Sequence, residues 1–284
     1  IGMSGSGYAI GLAIASYEWM AAITLILVGK YFLTIFLKRG IYTMPQFLEQ
    51  RYDRRVREIM ATFWLGVYVF VNLTSVLWLG ALAINTVAGV DMLIGMVFLG
   101  VFSVAYSLYG GLKAVAFTDI IQVVILVFGG LLLSYICLDL VSDGAGVIAG
   151  FSTLLEKAPE KFDMILDKDH EHYVSLPGLS VLIGGMWIMN LSYWGFNQYI
   201  IQRTLAAKSL KEGQKGIVFA AYLKLLMPII VVLPGIAAAV LAPDLMRPDE
   251  AYPTMMQLMP VGIKGLVFAA LVASIVSSLG SMTN

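Results

Sequence analysis

Two ionisable residues stand where a membrane segment would normally exclude them. Glu18 lies at the start of the apolar run 17–37, and Lys224 lies inside the apolar run 215–242. Charged side chains at such depth are costly in lipid and usually face a bundle interior or a water-filled cavity. The two side chains can neutralise each other as a buried structural pair, or both can line a polar pocket and hydrogen-bond a substrate. The sequence leaves both interpretations open.

A second group of polar residues lies in the stretch NLSYWGFNQYIIQR, residues 190–203, at the end of another apolar run. Asn190 offers two donors and an acceptor, while Tyr193 and Trp194 offer flat apolar faces. Gly195 permits an irregular backbone turn, and polar groups with glycine at mid-membrane depth are typical of a discontinuous helix that lines a cavity. Interhelical hydrogen bonding by the Asn and Gln side chains is the structural alternative.

Three serines near the C-terminus offer oxygen ligands. Ser274, Ser277 and Ser278 have the spacing i, i+3 and i+4, so they share one helix face. Hydroxyls and freed backbone carbonyls suit a hard alkali cation, although serines at this spacing also occur where two membrane helices pack closely. Asp119 lies close to the end of a predicted span, where a structural ion pair is an alternative to a functional role.

Other types of site have little support. His170 and His172 form an H-x-H in a charged loop, which permits a metal site but is also typical of two solvated histidines. Cys137 is the only cysteine and lies in an apolar run, so disulfides and cysteine metal sites are excluded within this chain. No serine–histidine, metal-ligand or paired-carboxylate arrangement lies at membrane depth. We therefore do not predict an enzyme.

The composition of the 284-residue chain predicts the membrane that these residues would need. Hydrophobic residues make up 60% of the chain and charged residues 13%, and the mean hydropathy is +0.87, well outside the composition of soluble domains. The 18 basic and 18 acidic residues cancel, so no overall field points to nucleic acid. Charges gather in connectors between charge-poor stretches of about 20 residues or more, the length that a helix needs to cross a bilayer. An all-α polytopic membrane protein is predicted.

A short helix over residues 2–15, the second half of a span, is expected to precede seven full spans. The stretch 44–58 is too charged to span and is typical of an amphipathic helix at the membrane surface. No signal peptide precedes the first helix and no polar flank follows the last run, so we expect both ends to be cuts through a longer protein. The predicted spans cover residues 17–37, 60–88, 92–109, 115–139, 179–203, 215–242 and 261–284.

Short loops predict the orientation. Residues 38–58 carry six basic residues against three acids, residues 203–215 carry four against one, and Lys113 lies in a connector near 110–114. An even number of spans separates these loops, which places all three on one side, expected to be the cytoplasm. Residues 140–178, with seven acids and three lysines, are then external.

Several blocks of sequence resemble the sodium/solute symporter family, most strongly its bacterial sodium/galactose (sodium/glucose-type) branch. The resemblance covers essentially the whole chain. The blocks are YAIGLAIASYEWM, GGMWIMNLSYWGFNQYIIQRTLAAKS, FAAYLKLLMP, VVLPGIAA and VFAALVASIVSSLGSM, with further similarity at Val104–Gly111.

This resemblance implies a transporter core of two inverted five-helix repeats, with substrate and sodium held at the midplane by the broken first helix of each repeat. Residues 1–139 then form most of the first repeat, from the second half of its first helix through its fifth helix. Residues 140–178 form an external loop, and residues 179–284 form the first three helices of the second repeat. The first half of the first helix and the last two core helices are expected to lie outside this chain.

The resemblance also implies residues that bind a sugar. Glu18, Asn190 and Lys224 match sugar-hydrogen-bonding positions. Tyr193, with Trp194 beside it, matches an aromatic residue that stacks on the sugar and closes an inner gate. Met3 and Tyr17 match an apolar cap and gate on the outer side of the sugar. A hydroxyl is expected one turn after the glutamate, and Ala21 stands there instead, which leaves the identity of the sugar open.

For the cation, the resemblance implies Na⁺ as the coupling ion. Ser277 and Ser278 match sodium ligands, and Ser274 matches a position that contributes its backbone carbonyl, where alanine is usual. Asp119 matches an acid on the sodium exit path.

The implied function is secondary active symport in the bacterial inner membrane, with sodium influx driving uptake of a neutral, galactose- or glucose-like sugar by alternating access. The expected partners are sodium, the sugar or polyol and the lipid bilayer, with no nucleic acid. A symporter for another polyol or small solute, and a non-transporting sodium/solute sensor or channel of the same fold, are the alternatives. The sequence predicts neither the sodium stoichiometry nor the oligomeric state.

Overall fold

The structure, a computed structural model, describes residues 1–176 and 178–283, apart from the side chains of residues 110–116. Within these residues the chain forms helices joined by short connections and contains no strand, which confirms the predicted all-α class. The helices, numbered in chain order, are α1 Gly2–Ala9, α2 Leu12–Lys38, α3 Met44–Arg51, α4 Arg54–Ala88, α5 Met92–Val141, α6 Val147–Lys157, α7 Gly178–Phe196, α8 Gln198–Leu205, α9 Leu210–Leu241, α10 Ala251–Met256 and α11 Val261–Thr283.

Seven stretches of the described chain are long and apolar enough to cross a membrane. Five of them are the whole helices α2, α4, α7, α9 and α11. Helix α5 supplies the other two, Met92–Tyr109 and Phe117–Val141. Each of these stretches overlaps one predicted span, although several ends differ by a few residues, so the seven predicted spans are confirmed. The connector predicted near 110–114, with Lys113, lies outside the side chains that the structure describes.

The first of two compact units comprises Ile1–Ala15, Leu73–Ile165 and Met227–Asn284. Its core lies where α5 packs against α10 and the second part of α9, around the fully buried Leu133, Ile236 and Met256. Helix α1 packs closely on α9, since a Cβ at Gly235 would lie 2.1 Å from the Ser4 carbonyl oxygen. Only glycine permits this approach.

The second unit comprises Ser16–Asn72 and Leu166–Leu226. Its core joins α2, α8 and the first part of α9 through buried aliphatic side chains such as Leu33 and Ile217. Phe196, at the end of α7, contacts Phe32 and Phe36 of α2 with ring centroids 5.3 Å and 5.9 Å apart. These edge-on aromatic contacts hold the end of α7 against α2. Both units take helices from both predicted repeats, so the repeat boundaries remain a prediction.

Two predicted helix boundaries are wrong. The first helix ends at Ala9, not at residue 15, because Gly11 has a φ of +99° and a new helix begins at Leu12. The surface helix predicted over 44–58 is divided, and α3 ends at Arg51. The Asp53 carboxylate then accepts a hydrogen bond of 2.8 Å from the Val56 amide and caps a new helix. Residues 54–58 therefore begin the spanning helix α4.

The discontinuous helix predicted in the stretch 190–203 is present. Residues Ser192–Phe196, which include Gly195, form a π-helical turn at the end of α7. The helix stops at Asn197, whose backbone is extended with φ −80° and ψ 118°, and α8 starts at Gln198. The break thus lies two residues after the predicted turn. π-helical turns of this kind occur often at functional sites.

Candidate functional site

Glu18 and Lys224 meet in the second unit. The Lys224 Nζ donates to Glu18 Oε2 over 2.7 Å, although the residues are 206 positions apart in the chain. The side chains are 9% and 20% exposed, so both charges are largely removed from water. Within the described residues only Lys224 hydrogen-bonds this carboxylate, and it uses one oxygen. Glu18 Oε1 and two Lys224 protons therefore remain able to bind a ligand.

Trp194 and Asn190 extend this pair into a network. The Lys224 Nζ lies 4.6 Å from the centre of the Trp194 ring, a cation–π geometry. The Trp194 Nε1–H donates to Asn190 Oδ1 over 3.2 Å, and Asn190 Nδ2 donates to the Met186 carbonyl over 3.0 Å. Both hydrogen bonds of Asn190 thus stay within α7. The structure brings together four of the residues predicted to serve one pocket.

Tyr193 is tied across the helix break. It is 38% exposed, and its hydroxyl lies 2.6 Å from the hydroxyl of Tyr199 on α8. Either hydroxyl can donate this hydrogen bond. The π-turn and the break therefore lie between two hydrogen-bonded side chains.

The break itself is fixed by α4 and α3. The Tyr68 hydroxyl donates to Asn197 Oδ1 over 2.5 Å, and the Tyr68 ring meets the Tyr199 ring edge-on with centroids 5.9 Å apart. Gln198 Oε1 accepts a hydrogen bond of 2.8 Å from the backbone amide of Met44, at the start of α3. Hydrogen bonding between elements, the structural alternative for this stretch, thus describes Asn197 and Gln198 but not Asn190.

Tyr68, Tyr199 and the side-chain contacts of Asn197 were not predicted from the sequence. Tyr68 and Asn197 are 129 residues apart, and nothing in the sequence of either segment indicates the pairing. The position of Tyr199, six residues after Tyr193, would place the two on different faces of a continuous helix. Only the break at Asn197 lets their hydroxyls meet.

An oxygen cluster lies in the first unit, between α5 and α11. Ser277 is 2% exposed, and its Oγ donates to Asp119 Oδ1 over 2.5 Å. Ser278 Oγ donates to the Ser274 carbonyl over 2.9 Å. Two hydroxyls, a carboxylate and a carbonyl are oxygen donors suited to a hard cation. Ser277 thus contacts Asp119 and Ser278 contacts Ser274, and the role of the four residues as one cation site remains a prediction.

The remaining predicted residues fall in different places. Met3 packs against the core of the first unit, whereas Tyr17 is half-buried in the second, and their joint role as an outer cap remains a prediction. Ala21 is buried on α2, one turn after Glu18.

The two histidines of the H-x-H lie close together. His172 Nε2 lies 2.9 Å from Glu171, and the His172 backbone amide donates to His170 Nδ1. In the described part of the chain, no cluster of three or more His, Cys, Asp or Glu side chains could hold a metal ion.

Comparison with known proteins shows the family to which the chain belongs. The family model described as "Sodium:solute symporter family" matches residues 1–284. The chain is 56% identical to a sodium/glucose cotransporter of Vibrio parahaemolyticus and covers 55% of it. It is 36% identical to the uncharacterized symporter YidK of Escherichia coli K12, covering 51%, and 32% identical to the human sodium/myo-inositol cotransporter 2, covering 46%. All of this chain is matched in each case.

A solved structure shares the fold. It is the substrate-bound outward-open state of a Na⁺-coupled sialic acid symporter, with a TM-score of 0.83 and 24% sequence identity. The match covers 99% of this chain and 60% of the symporter chain. This match confirms the predicted transporter fold. The chain spans about half the length of the curated relatives it matches.

Proposed function

Because the chain belongs to the sodium:solute symporter family, we propose that it carries the sugar and sodium sites of a secondary active symporter in a bacterial inner membrane. Sodium influx drives uptake of a neutral, galactose- or glucose-like sugar by alternating access, and the protein is not an enzyme. The membrane potential supplies about 2.3 kcal/mol per charge per 100 mV, so one sodium ion can drive a neutral solute uphill.

The Glu18–Lys224 pair is the observation that carries this proposal. A neutral sugar presents hydroxyls that donate and accept at once, and the pair offers an acceptor oxygen beside unused ammonium protons. Asn190 adds a further amide next to it. Tyr193 and Trp194 supply aromatic faces for the apolar C–H face of a sugar ring, with centroids 5.0 Å apart. A pocket with few polar groups beside aromatic walls is typical of small-molecule sites.

In this proposal the oxygen cluster binds sodium. Ser277 and Ser278 ligate through their hydroxyls, Ser274 through its carbonyl, and Asp119 receives the ion as it leaves. Asp119 already contacts Ser277, so the ion would pass directly between neighbouring oxygens. Tyr193, with Trp194, closes the inner side of the sugar. Met3 and Tyr17 close the outer side.

A polyol is the second candidate substrate, supported by the 32% identity to the human myo-inositol cotransporter. Ala21, where a hydroxyl is expected, leaves the identity of the sugar open. A sodium/solute sensor or channel of the same fold is the remaining alternative. The predicted repeats, 1–139 and 179–284, with the external loop 140–178 between them, complete the proposal.

The decisive experiment is a sodium-dependent uptake screen of sugars and polyols, using the full-length protein in proteoliposomes. We expect concentrative uptake of a hexose that requires sodium, together with substrate counterflow. Uptake of inositol but not hexoses would favour the polyol. A channel would show no counterflow, and a sensor would show binding without flux.

A further inference from the structure

The second unit holds a cavity that the proposed transport cycle does not use. Its volume is about 450 Å³, and it lies between α3 and the first part of α4. Met44, Phe47 and Leu48 line it from α3, and Trp64, Leu65 and Tyr68 line it from α4. Met44, Phe47 and Leu48 have the spacing i, i+3, i+4, and Ala61, Trp64, Leu65 and Tyr68 have the spacing i, i+3, i+4, i+7, so each set shares one face of its helix. Two apolar stripes therefore face each other across the cavity.

One end of this cavity is cationic. Arg51 lines it and is exposed. The neighbouring Arg54 and Arg57 are neutralised by Glu58 and Glu49, at 2.7 Å and 2.6 Å. Arg51, in contrast, lies over the Tyr52 ring at 5.6 Å, and among the described residues no carboxylate pairs with it. An exposed cation without a counter-charge thus lines an otherwise mostly apolar slot.

We propose that this cavity binds an anionic phospholipid of the cytoplasmic leaflet, with its phosphate on Arg51 and an acyl chain between α3 and α4. Basic residues dominate the segment 38–58, which places this end of α4 on the cytoplasmic side. Anionic headgroups there attract basic side chains. The α4 residues that line the cavity extend from Met60 to Tyr68, about 12 Å of helix directed into the span. The cavity thus has a charged end at the interface and an apolar end in the bilayer.

Other occupants fit less well. A sugar needs several hydrogen-bonding partners, and the walls are mostly aliphatic and aromatic. A soluble anion would gain nothing from these walls. The lipid is the occupant that is complementary both to Arg51, the one cation among the described lining residues, and to the apolar stripes.

The floor of the cavity is the break in the α7–α8 helix. Ser192 and Phe196 belong to the π-turn, Gln198 follows the break, and all three line the cavity. Tyr68, another lining residue, donates to Asn197 at the break. A bound lipid therefore contacts the segment that carries Tyr193. Insofar as Tyr193 gates sugar exit, which rests on the proposed function, the lipid shifts the gate toward the conformation that it binds more tightly.

Trp64 allows a direct test of binding in the full-length protein. We would measure quenching of its fluorescence by phosphatidylglycerol with brominated acyl chains in mixed micelles, with brominated phosphatidylcholine as the neutral comparison. The Trp64 signal is obtained by difference from Trp64→Phe. We expect phosphatidylglycerol to bind about fivefold more tightly, the effect of about one basic side chain near an anionic headgroup.

Arg51→Gln should abolish this preference, and Arg51→Lys should restore most of it. Arg55→Gln removes the same charge from a residue that does not line the cavity, and it should leave the preference intact. Equal quenching by the two lipids, or equal losses in Arg51→Gln and Arg55→Gln, would overturn the proposal. So would an unquenched Trp64 beside quenched other tryptophans, which would mean that protein fills the cavity. None of these results depends on sugar transport, so they separate this inference from the proposed function.

Discussion

The two candidate sites both place polar groups inside an apolar bundle, but the chemistry of those groups is opposite. In the second unit, Glu18 and Lys224 carry full opposite charges that cancel and leave spare hydrogen-bonding capacity of both kinds. In the first unit, Asp119 and the serines offer oxygen only. A site with balanced donors and acceptors suits a neutral polyhydroxyl ligand, whereas an oxygen-only site with a carboxylate suits a cation. The chemistry of each region therefore predicts a different ligand.

The largest expected effect comes from breaking the ion pair. Glu18→Gln and Lys224→Ala should each lower sugar affinity by at least about 100-fold, since each removes a direct hydrogen-bonding partner and leaves the other charge buried. Sodium binding should stay near normal because the oxygen cluster is untouched. Equilibrium binding of labelled sugar at saturating sodium measures the first effect, and sodium titration measures the second.

The alternative, that Glu18 and Lys224 form a purely structural ion pair, predicts a different result for the double variant Glu18→Gln/Lys224→Met. Replacing both members of a buried pair is often nearly neutral for stability, whereas removing one costs about 3–5 kcal/mol when the pair is fully buried. If the pair serves the sugar, the double variant regains thermal stability but still fails to bind. Recovery of both stability and binding would show that the pair is structural only.

The next effect concerns Tyr193 and the inner gate. Tyr193→Ala removes both the stacking surface and the ring that closes the site, so sodium-driven sugar accumulation in proteoliposomes should be lost. Tyr222→Ala is a matched control, because Tyr222 is 66% exposed on α9 in the same unit and belongs to no described network. If the Tyr193→Ala protein accumulates sugar as well as wild type, Tyr193 is ordinary packing and the gate lies elsewhere.

The difference between the two sites could be predicted from sequence only in part. Hydropathy located all seven spans because the bilayer imposes a length and a composition on each one. Residue type alone marked Glu18 and Lys224 as unusual. That their charged atoms are 2.7 Å apart depends on packing between α2 and α9, which no local pattern encodes.

The position of the helix break could also be predicted from the sequence only in part. Glycine at 195 indicated an irregular backbone, but the extended residue is Asn197, whose side chain is held by Tyr68 from a distant part of the chain. In contrast, the boundary at Asp53 was visible in the sequence as an N-cap residue before a helical run. This signal was not used, because the many charged residues of 44–58 suggested one continuous surface helix.

A smaller effect is expected in the oxygen cluster. Ser277→Ala should raise the sodium concentration for half-maximal uptake about tenfold, because a hydrogen bond to a charged group contributes about 1.5–3 kcal/mol. Ser278→Ala should act in the same direction but less strongly, since its hydroxyl bonds within its own helix. Sugar affinity at saturating sodium should change much less in both.

Ser134→Ala is the control for the cluster. Ser134 is equally buried in the first unit, and its hydroxyl bonds to the carbonyls of Gly130 and Ile229, away from Asp119. It should leave sodium dependence unchanged. Unchanged sodium dependence in Ser277→Ala and Ser278→Ala as well would remove these serines from the cation site.

The smallest effect tests whether the Tyr193 hydroxyl has a role apart from its ring. Tyr193→Phe keeps the stacking surface, so sugar binding and much of the transport rate should be retained. It loses the 2.6 Å bond to Tyr199, worth about 1 kcal/mol, so the gate equilibrium should shift about fivefold. Tyr199→Phe removes the same bond from the other side of the break and should shift initial uptake rates by the same factor.

Because both variants delete one shared interaction, the double variant Tyr193→Phe/Tyr199→Phe should behave like either single variant. Tyr68→Phe breaks a different bond, to Asn197, and its effect should add to that of Tyr193→Phe. Initial rates of sodium-driven uptake and of counterflow would be measured beside wild type for the three single variants and for the double variants Tyr193→Phe/Tyr199→Phe and Tyr68→Phe/Tyr193→Phe. If the effects of Tyr193→Phe and Tyr199→Phe simply add, their hydroxyls act independently and the bond across the break does not hold the gate.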